Sequence, residues 1–146
     1  MQIQKNKSYE MRILVVALTL LFSITLADAN QQALLRVQWK QLEIQNHMLT
    51  SREKLERVQA LSTLIKLNNY SPTKVSQTPQ DIFETGFASE AEIAFSKWVM
   101  FKELGLNADQ FRLVYVQDKQ NKDNHVWLAK FDQENVTLIT LNDVVS

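Results

Sequence analysis

Cysteine is absent from all 146 residues. No disulfide can staple this chain, and no thiol can serve it as nucleophile or metal ligand. Glycine and proline occur only twice each, so there is no glycine-rich phosphate cradle, and no nucleotide fingerprint or metal-ligand spacing is present. An excess of either charge is missing too. The 16 Lys and Arg balance 16 Asp and Glu, which removes any electrostatic case for nucleic acid or an anionic lipid surface. No internal repeat or low-complexity tract breaks the chain. What remains is one domain's length of ordinary composition, which must be held together by its core.

The N-terminus has the order of a secretory leader. Lys5, Lys7 and Arg12 precede an uncharged, mostly apolar run from Ile13 to Leu26, and Ala27-Asp28-Ala29 places small residues at both positions of an A-x-A cleavage site. That run is short beside the ~20 residues a membrane helix takes, so a cleaved leader over 1–29 is expected, with an uncleaved membrane anchor as the alternative. Translation from Met11 instead of Met1 gives a more compact leader. The mature domain is then 30–146. Without Lys5, Lys7, Arg12, Glu10 and Asp28 its net charge is about −1.

Helices come first. From Gln31 to about Leu49, Leu35, Trp39 and Leu42 form one apolar stripe. Thr50 and Glu53 form a capping box for a second helix, whose stripe is Leu55, Val58, Leu61 and Ile65. A helical hairpin packed on a later core follows. Asn68 to Gln80 reads as loop, with Ser71-Pro72 and Thr78-Pro79 as breakers. A third helix begins at the capping box of Ser89 and Glu92, carries Ile93, Phe95, Trp98, Phe101 and Leu104, and ends at Gly105. The period then changes to that of strands: Phe111 to Val116, His125 to Phe131, and Val136 to Leu141, joined by the polar connectors Gln120 to Asp123 and Asp132 to Asn135. The expected fold class is α+β, an N-terminal helical hairpin with a central helix packed on a small antiparallel sheet.

The segment Thr78-Pro79-Gln80-Asp81, its continuation through Gly86 and Ser89-Glu90-Ala91-Glu92, and the helix running on through Ser96-Lys97-Trp98 to Leu104-Gly105-Leu106 together resemble a known pattern. They are similar to the bacterial transglutaminase-like cysteine peptidases, the periplasmic group that clips the N-terminal anchor of large biofilm adhesins. Leu113-Val114-Tyr115-Val116, His125-Val126-Trp127-Leu128-Ala129 and Leu138 to Asp143 follow in the family's order of strands, and the N-terminal helices with Trp39 and Lys54 to Val58 fit as well. The segment between Asn69 and Thr78 is shorter than in typical members and lacks their tryptophans. The resemblance implies a papain/transglutaminase-like fold and a periplasmic location.

At the active site the match fails. Aligned without gaps, the family's D-C-E-D falls on Ser89-Glu90-Ala91-Glu92, so Glu90 holds the nucleophile position, and a one-residue slip puts Ser89 there. A carboxylate is a far poorer nucleophile toward an amide than a thiolate, and Ser89 needs a strong base and an oxyanion hole. The same residues also read as a plain helix start, with Ser89 as N-cap and Glu90 in the first turn, and that reading is preferred. Phe87 and Ala88 replace glycines of the family's turn. His125 stands at the family's general base, although a lone strand histidine is as readily a half-exposed surface residue. The family aspartate maps near Leu141 or Asn142, with Asp143 reachable by a short shift, and an amide at Asn142 can still orient an imidazole. The acids that help the family bind calcium correspond to Ser89 and Ala91, which makes calcium binding by that route unexpected. His47 has no ligand pattern around it, and no small-molecule cofactor is expected.

Three functions are consistent with this reading. The first is an inactive, exported relative that binds a protein partner, either an adhesin's anchor region or the inner-membrane receptor that sequesters the active protease. The second is a hydrolase of altered chemistry using Ser89 and His125 with Asn142 or Asp143. The third is a decayed member with no inherited role. A cleft lined by Trp98, His125 and Trp127 favours binding, and a collapsed one favours decay.

Overall fold

The computed structural model describes residues 27–68 and 75–145, so all but the last three residues of the leader expected over 1–29, and the breaker Ser71-Pro72, lie outside the described residues. The first helix, α1, covers the described residues 27–45 and tightens into a 3-10 turn at Asn46–Met48, short of the expected end at Leu49. Its stripe is as expected: Leu35, Trp39 and Leu42 are buried. Helix α2 spans Ser51–Ser62, started by the capping box in which Thr50 and Glu53 satisfy each other's backbone N–H groups. Ile65 lies past the end of α2 and is nonetheless buried, because the chain turns it back into the core.

Between α2 and the central helix there is more structure than the breakers suggest. A short strand, β1 (Lys66–Leu67), pairs in parallel with β2 (Phe87–Ala88). Helix α3, Pro79–Thr85, precedes β2. Thr78 caps α3, with Asp81 closing the box, Pro79 in the first turn where its missing N–H is harmless, and Gly86 ending it at φ +76°.

The central helix α4, Glu90–Glu103, begins on the Ser89–Glu92 box. It ends where Gly105 takes φ +80° and Leu106 N–H reaches back to the Phe101 carbonyl at 3.0 Å. Strands β3 (Phe111–Gln117), β4 (Asn124–Asp132), β5 (Asn135–Ile139) and β6 (Val144–Val145) form an antiparallel meander in sequence order. Helix α4 packs mainly against β4 and α2. The core joins Leu35, Trp39, Val58 and Leu61 of the hairpin with Ile82, Phe83, Ile93, Met100 and Phe101 of the later helices, and with Phe111, Leu128 and Ile139 of the sheet. The expected face of β3 is buried only at one end. Phe111 is in the core, whereas Tyr115 is 71% exposed near the far end of the strand.

Two local features place the site. Ala91 and Ala94 of α4 meet Val126 of β4, and these small side chains let the helix N-terminus approach the strand closely. Strand β5 pairs only with Leu128–Asp132, so residues 124–127 of β4 are flanked by β3 alone.

Candidate functional site

The first residue of α4 and the start of β4 meet. Glu90 Oε2 and Oε1 lie 3.2 and 3.3 Å from His125 Nδ1, and Trp127 Nε1–H donates to Glu90 Oε1 at 3.2 Å. A carboxylate oxygen accepts, so Nδ1 carries the proton in this contact. The His125 and Trp127 rings stack at 5.8 Å. The Glu90 side chain is only 13% exposed and that of His125 36%. Glu90 also sits on the first turn of its helix, where the unpaired backbone N–H groups favour a negative charge. The result is a carboxylate held by an imidazole, an indole and a helix end.

Of the residues singled out from sequence, Glu90, His125 and Trp127 are brought together, and Ser89, Asn142, Asp143 and Trp98 make no hydrogen bond to His125 among the described residues. Ser89 is buried, its hydroxyl accepting the Glu92 N–H at 3.3 Å as the cap of α4. Asn142 and Asp143 lie exposed in the turn before β6, and no hydrogen bond connects either to His125. Asp143 is instead engaged locally, its N–H donating to Thr140 Oγ1 at 3.0 Å and its carbonyl accepting from the Thr140 N–H at 2.8 Å. Trp98 does not join His125 and Trp127 in a cleft, the arrangement that would have favoured binding. It packs on Phe95 and donates to the Ala108 carbonyl at 3.3 Å, remote from the His125–Trp127 stack. In place of a cleft, α4 and the sheet close on each other and leave no room for a water between Glu90, Ala94, Lys97, Val126, Thr140 and Leu141.

Two buried ionisable residues stand beside the site. Glu92 closes the capping box and also accepts from the Ser76 N–H and hydroxyl and from Gln77 Nε2, tying the loop before α3 to α4. Burial alone pushes its carboxyl up, but the Ser89 N–H and these further donors outweigh it and hold it down at about 2. Lys97 is 1% exposed and donates to Gln59 Oε1 at 2.8 Å and to the Thr140 carbonyl at 2.6 Å. Burial lowers its ammonium to about 8, against the opposing influence of Glu90. In the sequence Lys97 stands out as a charge on the apolar side of a helix and as the lysine of the Ser96-Lys97-Trp98 resemblance.

No family model and no curated protein sequence matches this chain. Solved structures do. LapG of Legionella pneumophila in its calcium-bound form superposes with a TM-score of 0.65 at 16% identity, over 74% of this chain and 64% of that one. A further LapG structure gives 0.66 at 14% identity, over 81% of this chain and 75% of that one. EGTA-treated LapG gives 0.66 at 14% identity, over 82% and 74%. The fold is that of LapG. LapG is a transglutaminase-like cysteine protease that processes adhesins, so the α+β architecture and the resemblance in the sequence agree. This chain spans less than two thirds of the calcium-bound LapG chain.

Calcium does not fit the residues found here. Ala91 has no donor atom and is packed against Val126, Ser89 Oγ is engaged as a helix cap, and no group of three acidic, His or Cys side chains among the described residues could hold a metal ion. Among the described residues no helix is long and apolar enough to cross a membrane.

Proposed function

We propose that this protein is an exported, non-catalytic protein of the LapG fold that binds a protein partner in the periplasm. The observation that carries the loss of catalysis is the Glu90–His125 contact. The position at which a LapG-type thiolate would meet its base is filled by a carboxylate, already bonded to His125 and Trp127. A carboxylate so engaged is a weak nucleophile with its lone pairs in use. Ser89 is no substitute, because a buried helix cap is neither presented to a substrate nor bonded to His125.

The partner is an adhesin's anchor region or the inner-membrane receptor of an active peptidase. Support for binding over decay comes from the rebuilt site itself. A decayed nucleophile position has no reason to acquire a carboxylate matched to one imidazole and one indole, yet here each of the three polar groups has a partner. The absence of an open cleft weighs on the side of decay, so a partner would have to be met at the rim formed by the stacked His125 and Trp127 rings, not inside a substrate cleft.

The test is to incubate the mature chain, 30–146, with the anchor fragment of an adhesin and, separately, with the receptor's periplasmic domain. Cleavage is read by mass spectrometry and binding by calorimetry. Binding without cleavage is the expected result. Cleavage that survives Glu90→Ala and is lost in His125→Ala would restore the hydrolase reading. Silence in both assays would leave the decayed-member reading in place.

A further inference from the structure

Lys97 of α4 joins α2 and the turn after β5 to the central helix. From the second turn of α4 its ammonium reaches Gln59 of α2 at 2.8 Å and the carbonyls of Thr140 and Leu141 at 2.6 and 3.4 Å. Gln59 completes the ring, its Nε2 donating to the same Leu141 carbonyl at 3.1 Å. Thr140 follows β5 and opens the turn 140–143, and Thr140 and Leu141 lie across from Glu90 where α4 closes on the sheet. An ammonium has three donors and no acceptor, and all three acceptors here are neutral oxygens.

This is a poor arrangement for stability alone. A buried charge without an ionised partner in hydrogen-bond contact carries a desolvation penalty, and a well-packed apolar side chain of similar volume is often at least as stable. Its geometric effect is different. The carbonyls of Thr140 and Leu141 have turned out of the β5 ladder, and Lys97 with Gln59 fixes where they stand relative to α4 and α2.

We infer that Lys97 and Gln59 form a clamp that positions the turn 140–143 against the Glu90 end of the central helix, so that the N-terminal hairpin sets one wall of the candidate site. The clamp is a property of the isolated chain and needs no partner, so it stands or falls independently of the binding function. It also gives the N-terminal hairpin a role at a site it does not border.

The experiment is site-resolved amide hydrogen exchange on the mature chain, comparing wild type with Lys97→Met and with Gln59→Leu. The indole N–H resonance of Trp127, which reports on Glu90, is followed in the same samples. Positioning predicts at least tenfold faster exchange for the amides of 140–145 and a shifted Trp127 indole signal. The amides of β3 and the adjoining part of β4 keep their wild-type rates. A purely structural lysine predicts one common factor for all amides and an unmoved indole signal, and that result would overturn the clamp. Should Lys97→Met fail to fold, Gln59→Leu alone decides, since it removes one arm and leaves the ammonium two carbonyls.

Discussion

His125 Nδ1 faces both carboxylate oxygens of Glu90, at 3.2 and 3.3 Å, across the junction of a helix N-terminus and a strand. The two residues lie 35 positions apart, and the contact ties α4 to the stretch of β4 that β5 leaves uncovered. Together with the Trp127 indole it makes Glu90 the polar keystone of this end of the domain. Truncation to Glu90→Ala leaves a half-buried imidazole and an indole N–H without their acceptor, and should destabilise the fold by about 1–3 kcal/mol in a urea titration. Glu90→Gln keeps one carbonyl oxygen for Trp127 and should lose about half as much. Equal losses in the two variants would show that charge, not hydrogen bonding, is what the site uses.

Replacing the same residue tests whether the LapG-like frame still supports a thiolate. In Glu90→Cys the sulfur stands on the first turn of α4 with His125 beside it, two features that lower a thiol's pKa. Iodoacetamide should alkylate this variant at neutral pH at least tenfold faster than a control cysteine placed at the exposed position of Gln120. Histidine removal in Glu90→Cys/His125→Ala should erase most of that advantage. A rate equal to the control would mean that the helix end and the base no longer act on this position.

Lys97 gives the protein an alkaline signature. Its ammonium is lowered to about 8 in the folded chain from 10.5, so the unfolded chain holds the proton more tightly. Between those two values unfolding takes up a proton, and stability must therefore rise with pH, by about 3 kcal/mol if the whole shift is realised. Below about 8 the burial penalty is present in full. The stability difference between Lys97→Met and wild type should be largest near pH 7 and should shrink steadily toward pH 10. A difference independent of pH would place the Lys97 proton at its ordinary value.

Much of this architecture was legible in the sequence for local reasons. The boxes at Thr50–Glu53 and Ser89–Glu92 start helices where expected, because a cap is a contract between residues three apart. The buried stripe Leu35, Trp39, Leu42 and the order of the strands were equally visible. Helix α3 is not expected from the pattern although Thr78 and Asp81 form a box of the same kind, because Thr78-Pro79 reads as a breaker, whereas proline in the first turn is a start signal. Strands β1 and β2 are two residues each, too short for any alternation to show. At the site, Glu90 and His125 came from a gapless alignment of the resemblance. The Trp127 bond to Glu90 and the Lys97–Gln59 ring depend on side-chain reach between distant elements, which no spacing along the chain encodes. Whether Trp98 reaches the site was undecided in the sequence for the same reason: its stripe on α4 is visible, but not what that stripe faces.

Calcium separates this chain from the calcium-bound LapG whose fold it shares. A calcium ion takes 6–8 oxygen ligands, and here one flanking position is an alanine buried against Val126. The midpoint of thermal unfolding should be the same, within about 1 °C, in millimolar calcium and in EGTA, since a ligand that does not bind the native state cannot raise its stability. A calcium-dependent rise would require ligands outside the residues considered at this site. Ala91→Asp should not create a site either, because the added carboxylate must displace Val126 from the helix, and its clearest effect should be lower stability.

Acid should open the same region from another direction. Glu92 is held at about 2 when folded against an ordinary 4.5, so the folded chain releases this proton more readily than the unfolded one. Its contribution is complete above about 4.5 and is lost as pH falls through that value toward 2. What it holds is the loop before α3, through Ser76 and Gln77, and the first turn of α4, through the Ser89 N–H. Glu92→Gln retains the shape with a single neutral acceptor oxygen, and should lose about 2 kcal/mol at pH 7, in line with the strength of hydrogen bonds to a charged group. The gap between wild type and variant should then close as the pH approaches 2. Limited proteolysis between residues 75 and 78 should follow the same course, with cleavage rising in wild type on acidification and already high in Glu92→Gln at neutral pH. If the variant's melting curve runs parallel to wild type at every pH, the latch on this loop is made by some group other than Glu92.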